Sequence, residues 1–233
     1  MPVRVKICGL TRAEDAADAV RLGASALGFV FWPPSPRVVT ADAARAIAAP
    51  LPALVARVGV FVDAPPADVL EIVRQVGLDV VQLHGGEDVE AYAALPVRLI
   101  KAVTLDSTAD VDRAADLPAA VTVLVDAPDP VRRGGTGRAA NWTWAAALAR
   151  RRPVMLAGGI SADNVADAVR AVRPWAIDVS SGVEIAPGVK SADRMRSLFR
   201  VLDAGRYGLG AGCWVLGAGC WVLGARCLAE GEM

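Results

Sequence analysis

Eight short runs of almost unbroken apolar residues recur along the first 205 positions of the chain. They are VRVKICG (3–9), ALGFVF (26–31), RVGVFVD (57–63), DVVQLHG (79–85), RLIKAV (98–103), VTVLVDA (121–127), VMLAGG (154–159) and AIDVSSG (176–182). Strands wetted on one side alternate apolar with polar residues, whereas runs without alternation belong to parallel sheets covered on both faces. Between the runs lie stretches of helical periodicity with readable ends. Thr11 and Glu14 read as a capping box ahead of AADAVRL, with Gly23 just beyond it; Thr40, Ser161 and Ser191 read as N-caps, and Gly77 and Gly205 as residues past helix ends. The segment PPADVLEIVRQVG opens on proline, as a first helical turn allows. The interval 106–118 is short and polar, and is expected to hold a single helical turn. Eight successive strand and helix units predict an α/β fold of one domain, a (β/α)8 barrel over residues 1–205. An open doubly wound sheet is the competing architecture, disfavoured because no nucleotide-binding glycine fingerprint accompanies the units.

Composition narrows the function classes. The 25 basic residues balance 25 acidic ones without a long basic run, so nucleic acid is not an expected partner. His84 is the one histidine in the chain, which removes every zinc site built on a histidine pair and leaves acid–base chemistry to carboxylate, thiol or amine. A chain of this length buries about 70% of its unfolded surface and needs no disulfide or metal to hold its core. Cys8 stands alone while Cys213, Cys220 and Cys227 lie in the tail, a spacing unlike a secreted disulfide framework. With no apolar leader in MPVRVKICGLTRAED, a reducing cytoplasm is the expected compartment.

In a (β/α)8 barrel chemistry sits where the strands end, in the loops that follow them. Reading those ends gives Cys8, Arg37 in FWPPSPR, Asp63, His84, Asp126, Gly158 with Gly159, and Ser180, Ser181 and Gly182. The glycine pair and the SSG run suit backbone N–H groups that approach a phosphate, a recurrent site in the last two loops of this fold; a tight turn is the plainer use of such glycines. Cys8 and Asp126 suit a proton remover and a proton donor, the pair a sugar isomerisation requires; a thiol near positive charge loses its proton more easily, and a partly buried carboxyl keeps it. By residue type alone, a lone buried cysteine is more often core filler than base, and an aspartate at a strand end more often a helix cap or turn former. Arg37 offers a planar fork for a substrate carboxylate, or a surface ion pair. His84 is a candidate to orient the catalytic groups or touch substrate, although a single histidine at a strand end is more often a satisfied structural one, and Lys101 is a candidate Schiff-base lysine. GGTG (134–137) has the composition of a lid.

Taken together, KICGLT (6–11), GFVFWPPSPR (28–37), VGVFVD (58–63), QLHGGE (82–87), LVDAP (124–128), GGTG, LAGGI (156–160) and IDVSSGVE (177–184) resemble the phosphoribosylanthranilate isomerases of tryptophan biosynthesis. The resemblance runs from about residue 3 to 203 and implies a barrel without metal or cofactor. It implies the Amadori rearrangement of N-(5′-phosphoribosyl)anthranilate to 1-(2-carboxyphenylamino)-1-deoxyribulose 5-phosphate. Cys8 would be the general base, Asp126 the general acid and Arg37 the holder of the anthranilate carboxylate. The phosphate would rest on Gly158, Gly159, Ser180, Ser181 and Gly182, with Asp178 helping to position substrate. Arg138, Asn141 and Ser191 depart from the family pattern, which usually has Lys, Asp and Asp there; the changes are expected to bear on lid closure and capping. The alternatives are a phosphosugar isomerase of the histidine pathway, in which an aspartate would stand at Cys8, an aldolase, or an inactive barrel serving as a scaffold.

Residues 206–233 stand apart. GAGCWVL occurs twice in tandem, at 210–216 and 217–223, followed by the decayed copy GARCLAE. Its length between Arg206 and Arg226 would reach across a bilayer, but its glycine content argues against a membrane helix. The tail is expected to be a poorly ordered extension of a monomer, with weak self-association as the alternative.

Overall fold

The computed structural model describes residues 3–127 and 140–206. The eight runs become strands β1 (Arg4–Cys8), β2 (Ala26–Val30), β3 (Ala56–Phe61), β4 (Val80–Leu83), β5 (Arg98–Val103), β6 (Val121–Val125), β7 (Val154–Leu156) and β8 (Ala176–Val179). Each pairs in parallel with the next, and β8 closes on β1, so the barrel has no free edge. Helices α1 (Ala13–Arg21), α2 (Ala41–Ala48), α3 (Pro66–Val76), α4 (Thr108–Ala115), α5 (Trp142–Ala149), α6 (Val165–Val172) and α7 (Ala192–Arg206) lie between and after the strands. A short antiparallel ribbon, β9 (Glu184–Ala186) with β10 (Val189–Lys190), is inserted between β8 and α7. GGTG, Arg138 and residues 207–233 lie outside the described residues.

Closure divides the core in two. Outward strand residues such as Ile7, Leu27, Phe29, Leu83 and Val125 pack beneath the helices. Val58, Ile100, Leu124, Met155, Ala157 and Ala176 form a separate cluster inside the barrel. This double covering is why the strands read as continuous apolar runs. Strand alternation then puts Lys6 and Cys8 on the same face of β1, where Lys6 is opposite Asp178 and Cys8 opposite Gly28.

Most helix ends follow the expected signals. Thr40 and Ser191 accept the backbone N–H of Ala43 and Arg194, and Gly77 closes α3 in the left-handed conformation. After α1, Ala24 N–H bonds to the Ala19 carbonyl and Gly23 N–H to that of Val20, the paired bonds of a Schellman stop. Four expectations fail. The Thr11 hydroxyl donates instead to the Gly188 carbonyl at 2.6 Å, while Glu14 is taken by the Arg12 guanidinium, so α1 begins after Arg12 without a side-chain cap. Ser161 sits a turn ahead of α6, its hydroxyl accepting from Asp163 N–H, and Asn164 holds the cap position. Helix α7 continues through Gly205 to Arg206. The interval 106–118 carries the full helix α4, because the Ser107 hydroxyl caps Asp110 N–H and donates back to the Asp110 carboxylate. The reduced unit is the preceding one, where a 3₁₀ turn at Val89–Tyr92 is all that separates β4 from β5.

Candidate active site

The C-terminal ends of the strands surround a cavity of about 820 Å³. Cys8, Arg37, His84, Asp126, Gly158, Gly159, Asp178, Ser180 and Ser181 all line it. Gly182 is not among the lining residues; its Cα is pressed against the Ile160 carbonyl so closely that a Cβ would strike it. That contact ties the loop after β8 to the loop after β7. In the latter, Gly158 and Gly159 both have positive φ (78° and 64°), a conformation that turns successive N–H groups toward one side and that side chains rarely tolerate.

Two polar constellations face each other across the cavity. On one wall, the Asp126 Oδ2 lies 3.1 Å from His84 Nε2, and Gln82 Nε2 lies 2.7 Å from His84 Nδ1. The amide donor at Nδ1 leaves Nε2 as the protonated nitrogen, so the imidazole donates to Asp126. The other Asp126 oxygen accepts Ala127 N–H at 2.8 Å. Both Asp126 oxygens are therefore held, one by the His84 ring and the other by the Ala127 N–H. On the opposite wall Cys8 is buried, and Lys6, buried beside it, donates to Asp178 Oδ1 at 2.8 Å.

Charge at Cys8 is balanced rather than simply positive. Burial raises the thiol above its ordinary value and Asp178 adds to the rise, while Lys6 and Lys190 pull the other way. Desolvation outweighs the two amines, so the positive charge beside this thiol does not bring it below the ordinary cysteine value. For Lys6, burial opposes protonation, but Asp178 and Cys8 more than compensate and keep its ammonium above the ordinary lysine value.

Arg37 is in the cavity wall and already paired. Its Nε and Nη2 grip Glu184 Oε1 and Oε2 at 2.9 and 2.6 Å, and Lys190 Nζ shares Oε1 at 2.7 Å. Burial works against ionising Glu184, but Arg37 and Lys190 hold its carboxyl below the usual glutamate value. Lys190 also donates to the Cys8 and Ser180 carbonyls, joining β10 to the ends of β1 and β8. The arginine fork is therefore oriented by the protein's own groups.

Lys6, Gln82, Glu184 and Lys190 are the functional neighbours that sequence reasoning left without a role. For Lys6 and Gln82 a signal existed: each lies two residues before a strand-end candidate and so shares its face. For Glu184 and Lys190 there was none, since their partner Arg37 is 147 residues from Glu184. Two other candidates are structural. Lys101 is bonded to the Gly85 carbonyl and Glu87 at 2.9 and 2.8 Å, and Glu87 also accepts Asp63 and Gly85 N–H. Asp63 itself caps Gly86 N–H. An amine so engaged is not poised to form a Schiff base. Two of the departures keep their capping duty: Asn141 accepts Thr143 and Trp144 N–H at the start of α5, and Ser191 caps α7.

Among the described residues, no cluster of His, Cys, Asp and Glu is arranged to hold a metal ion, and no helix is long and apolar enough to cross a membrane. Residues 5–201 match the family model of N-(5′-phosphoribosyl)anthranilate (PRA) isomerase. The N-(5′-phosphoribosyl)anthranilate isomerase of Geobacter sulfurreducens is 48% identical over 85% of this chain and 97% of its own. The crystal structure of phosphoribosyl anthranilate isomerase from Thermus thermophilus superposes with a TM-score of 0.79 at 47% identity, covering 87% of this chain and 99% of that one. A second, at 38% identity and a TM-score of 0.77 over 87% and 99% of the two chains, is a phosphoribosyl anthranilate isomerase in complex with reduced 1-(o-carboxyphenylamino)-1-deoxyribulose 5-phosphate.

Proposed function

From the premise that this chain belongs to the N-(5′-phosphoribosyl)anthranilate isomerase family and is an aldose–ketose isomerase of tryptophan biosynthesis, we infer how its own residues divide the work. Asp126 protonates the ribose ring oxygen. The anilino nitrogen pushes its electron pair toward C1′, the C1′–O bond breaks, and an open-chain Schiff base results. Cys8 then takes the proton from C2′, giving the enaminol that tautomerises to the ketose. The single observation that carries this division is that Cys8 and Asp126 line one cavity from opposite walls, Asp126 held at both oxygens and Cys8 backed by a buried amine.

Substrate ends are assigned by chemistry. Arg37, oriented by Glu184, takes the anthranilate carboxylate, and the neighbouring apolar cluster of Cys8, Val30, Val60 and Trp32 suits an aromatic ring. The phosphate sits on the N–H groups of Gly158, Gly159, Ser180 and Ser181; Gly182 serves by letting the two loops meet. Asp178 acts through Lys6. The same reading makes the enzyme a monomer of a reducing cytoplasm, supported by the need of Cys8 to remain a thiol, with residues 206–233 as an appendage to the barrel.

The test is the decay of anthranilate-moiety fluorescence on substrate generated in situ. Wild type turns over, and Cys8→Ser and Asp126→Asn each lose about 10²-fold or more. A Cys8→Ser enzyme as active as wild type removes Cys8 from the mechanism.

A further inference from the structure

We propose that Lys6 is a positioning residue for the base: clamped by Asp178, its ammonium backs the Cys8 sulfur and stabilises negative charge there, and Asp178 sets how much of that charge the sulfur receives. The proposal rests on Cys8 being the base and adds what makes it one.

The geometry begins with strand β1, whose alternation puts Lys6 and Cys8 on the inner face two residues apart. Both crowd the same point of β2. Where a Cβ would stand on Gly28, Cys8 Sγ is 2.8 Å away and Lys6 Cε 3.1 Å away. A side chain at Gly28 would therefore collide with the sulfur and crowd the lysine, and the glycine leaves room for both at this point. Lys6 is only 1% exposed, with Asp178 directly across from it in the β1–β8 register.

Structure alone gives little reason for this pair. A buried lysine and carboxylate carry a desolvation penalty that their mutual attraction seldom exceeds, and apolar residues of similar size usually serve folding as well. The interior cluster of Val58, Ile100, Leu124 and Met155 shows that this barrel can fill its inside without charge. The charged layer occurs where the sulfur is. Other charges facing Cys8 are already engaged: Lys190 and Arg37 share Glu184, and on the opposite wall Asp126 is bonded to His84. Asp178 opposes Lys6 at the sulfur, so the two act with opposite sign.

Opposite sign is the means of testing. Iodoacetamide reacts with thiolate, and the pH profile of its reaction at Cys8, followed in the full chain by peptide mapping so that Cys213, Cys220 and Cys227 do not contribute, reads the sulfur without reference to turnover. Lys6→Met is expected to slow alkylation near neutral pH about tenfold and move the profile to higher pH. Asp178→Asn is expected to move it the other way, with alkylation several-fold faster than wild type, because the ammonium then pairs with the sulfur alone. Loosened packing would accelerate both variants. Shifts in the same direction, or no shift in either, overturn the proposal. Should Lys6→Met fail to fold, Asp178→Asn decides alone: unchanged or slower alkylation overturns it. Failure of the base assignment is seen separately, as unimpaired turnover by Cys8→Ser.

Discussion

The two rims of the barrel use charge in opposite ways. At the C-terminal rim, charged groups are buried, mostly paired over long sequence distances and aimed into a cavity: Lys6 with Asp178, Arg37 and Lys190 with Glu184, His84 with Asp126. At the N-terminal rim they tie down chain. Arg152 donates to the carbonyls of Ala114, Ala115, Leu117, Pro118 and Val121, gathering the end of α4 and the turn into β6. Arg57 forks onto Asp79 in the open, and Arg4 lies over the Trp175 ring. A fork that collects backbone carbonyls secures a loop whose own sequence has few ways to do so. Buried ion pairs around a cavity instead hold side chains in fixed positions along its wall. Removing charge from one rim should therefore cost activity, and from the other, stability.

The largest expected effect lies at the upper rim, where Cys8→Ser and Asp126→Asn lose about 10²-fold or more in kcat while thermal unfolding stays within a few degrees of wild type. In wild type kcat/KM should climb with pH above neutrality, since burial keeps the Cys8 thiol above its ordinary value and thiolate accumulates only on the alkaline side; an initial-rate profile flat above pH 7 would contradict it. Next is Glu184→Gln, expected to reduce kcat/KM about tenfold to a hundredfold, mainly through KM, as Arg37 loses its bidentate partner. Glu184 titrates below its ordinary value of 4.5, so its stabilisation is complete above that pH and is lost as pH falls through the lower, folded value. The variant should accordingly flatten the acid limb of the stability curve, as read by urea unfolding at several pH values. Arg152→Ala reverses the pattern: about 2 kcal/mol of stability lost, a few degrees in Tm, with kcat unchanged. Smallest is Arg57→Ala, below about 1 kcal/mol and vanishing in high salt, because its partner Asp79 is exposed.

How much of this could be read beforehand follows from the range of each interaction. Strands announce themselves because covering on both faces is written residue by residue, and α3 and α7 because their caps are local. Residues at strand ends inherit their place from the fold, so Cys8, Asp126, His84 and Arg37 were found together. Their partners were not. Lys6 meets Asp178 across 172 residues, and the competition between burial and two amines at Cys8 depends on depths that no spacing encodes. Thr11 misled for a related reason: a capping box is a local possibility, and the Gly188 carbonyl, 177 residues away, outbid it. The helix over 108–115 is faint in the sequence because few of its positions are apolar, although Val111 and Ala114 suffice to seat it.

The direction of α7 has a practical corollary. It starts beside the active-site ribbon at Ser191, and by Phe199 it has reached the end of α1, where Phe199 lies 3.9 Å from the position a Cβ would take on Gly23. The remaining turns run on toward the N-terminal rim, so α7 ends on the side away from the cavity. A graft made after Arg206, whether a reporter, an affinity handle or a second enzyme, would hang from the floor of the molecule and leave its mouth open to substrate.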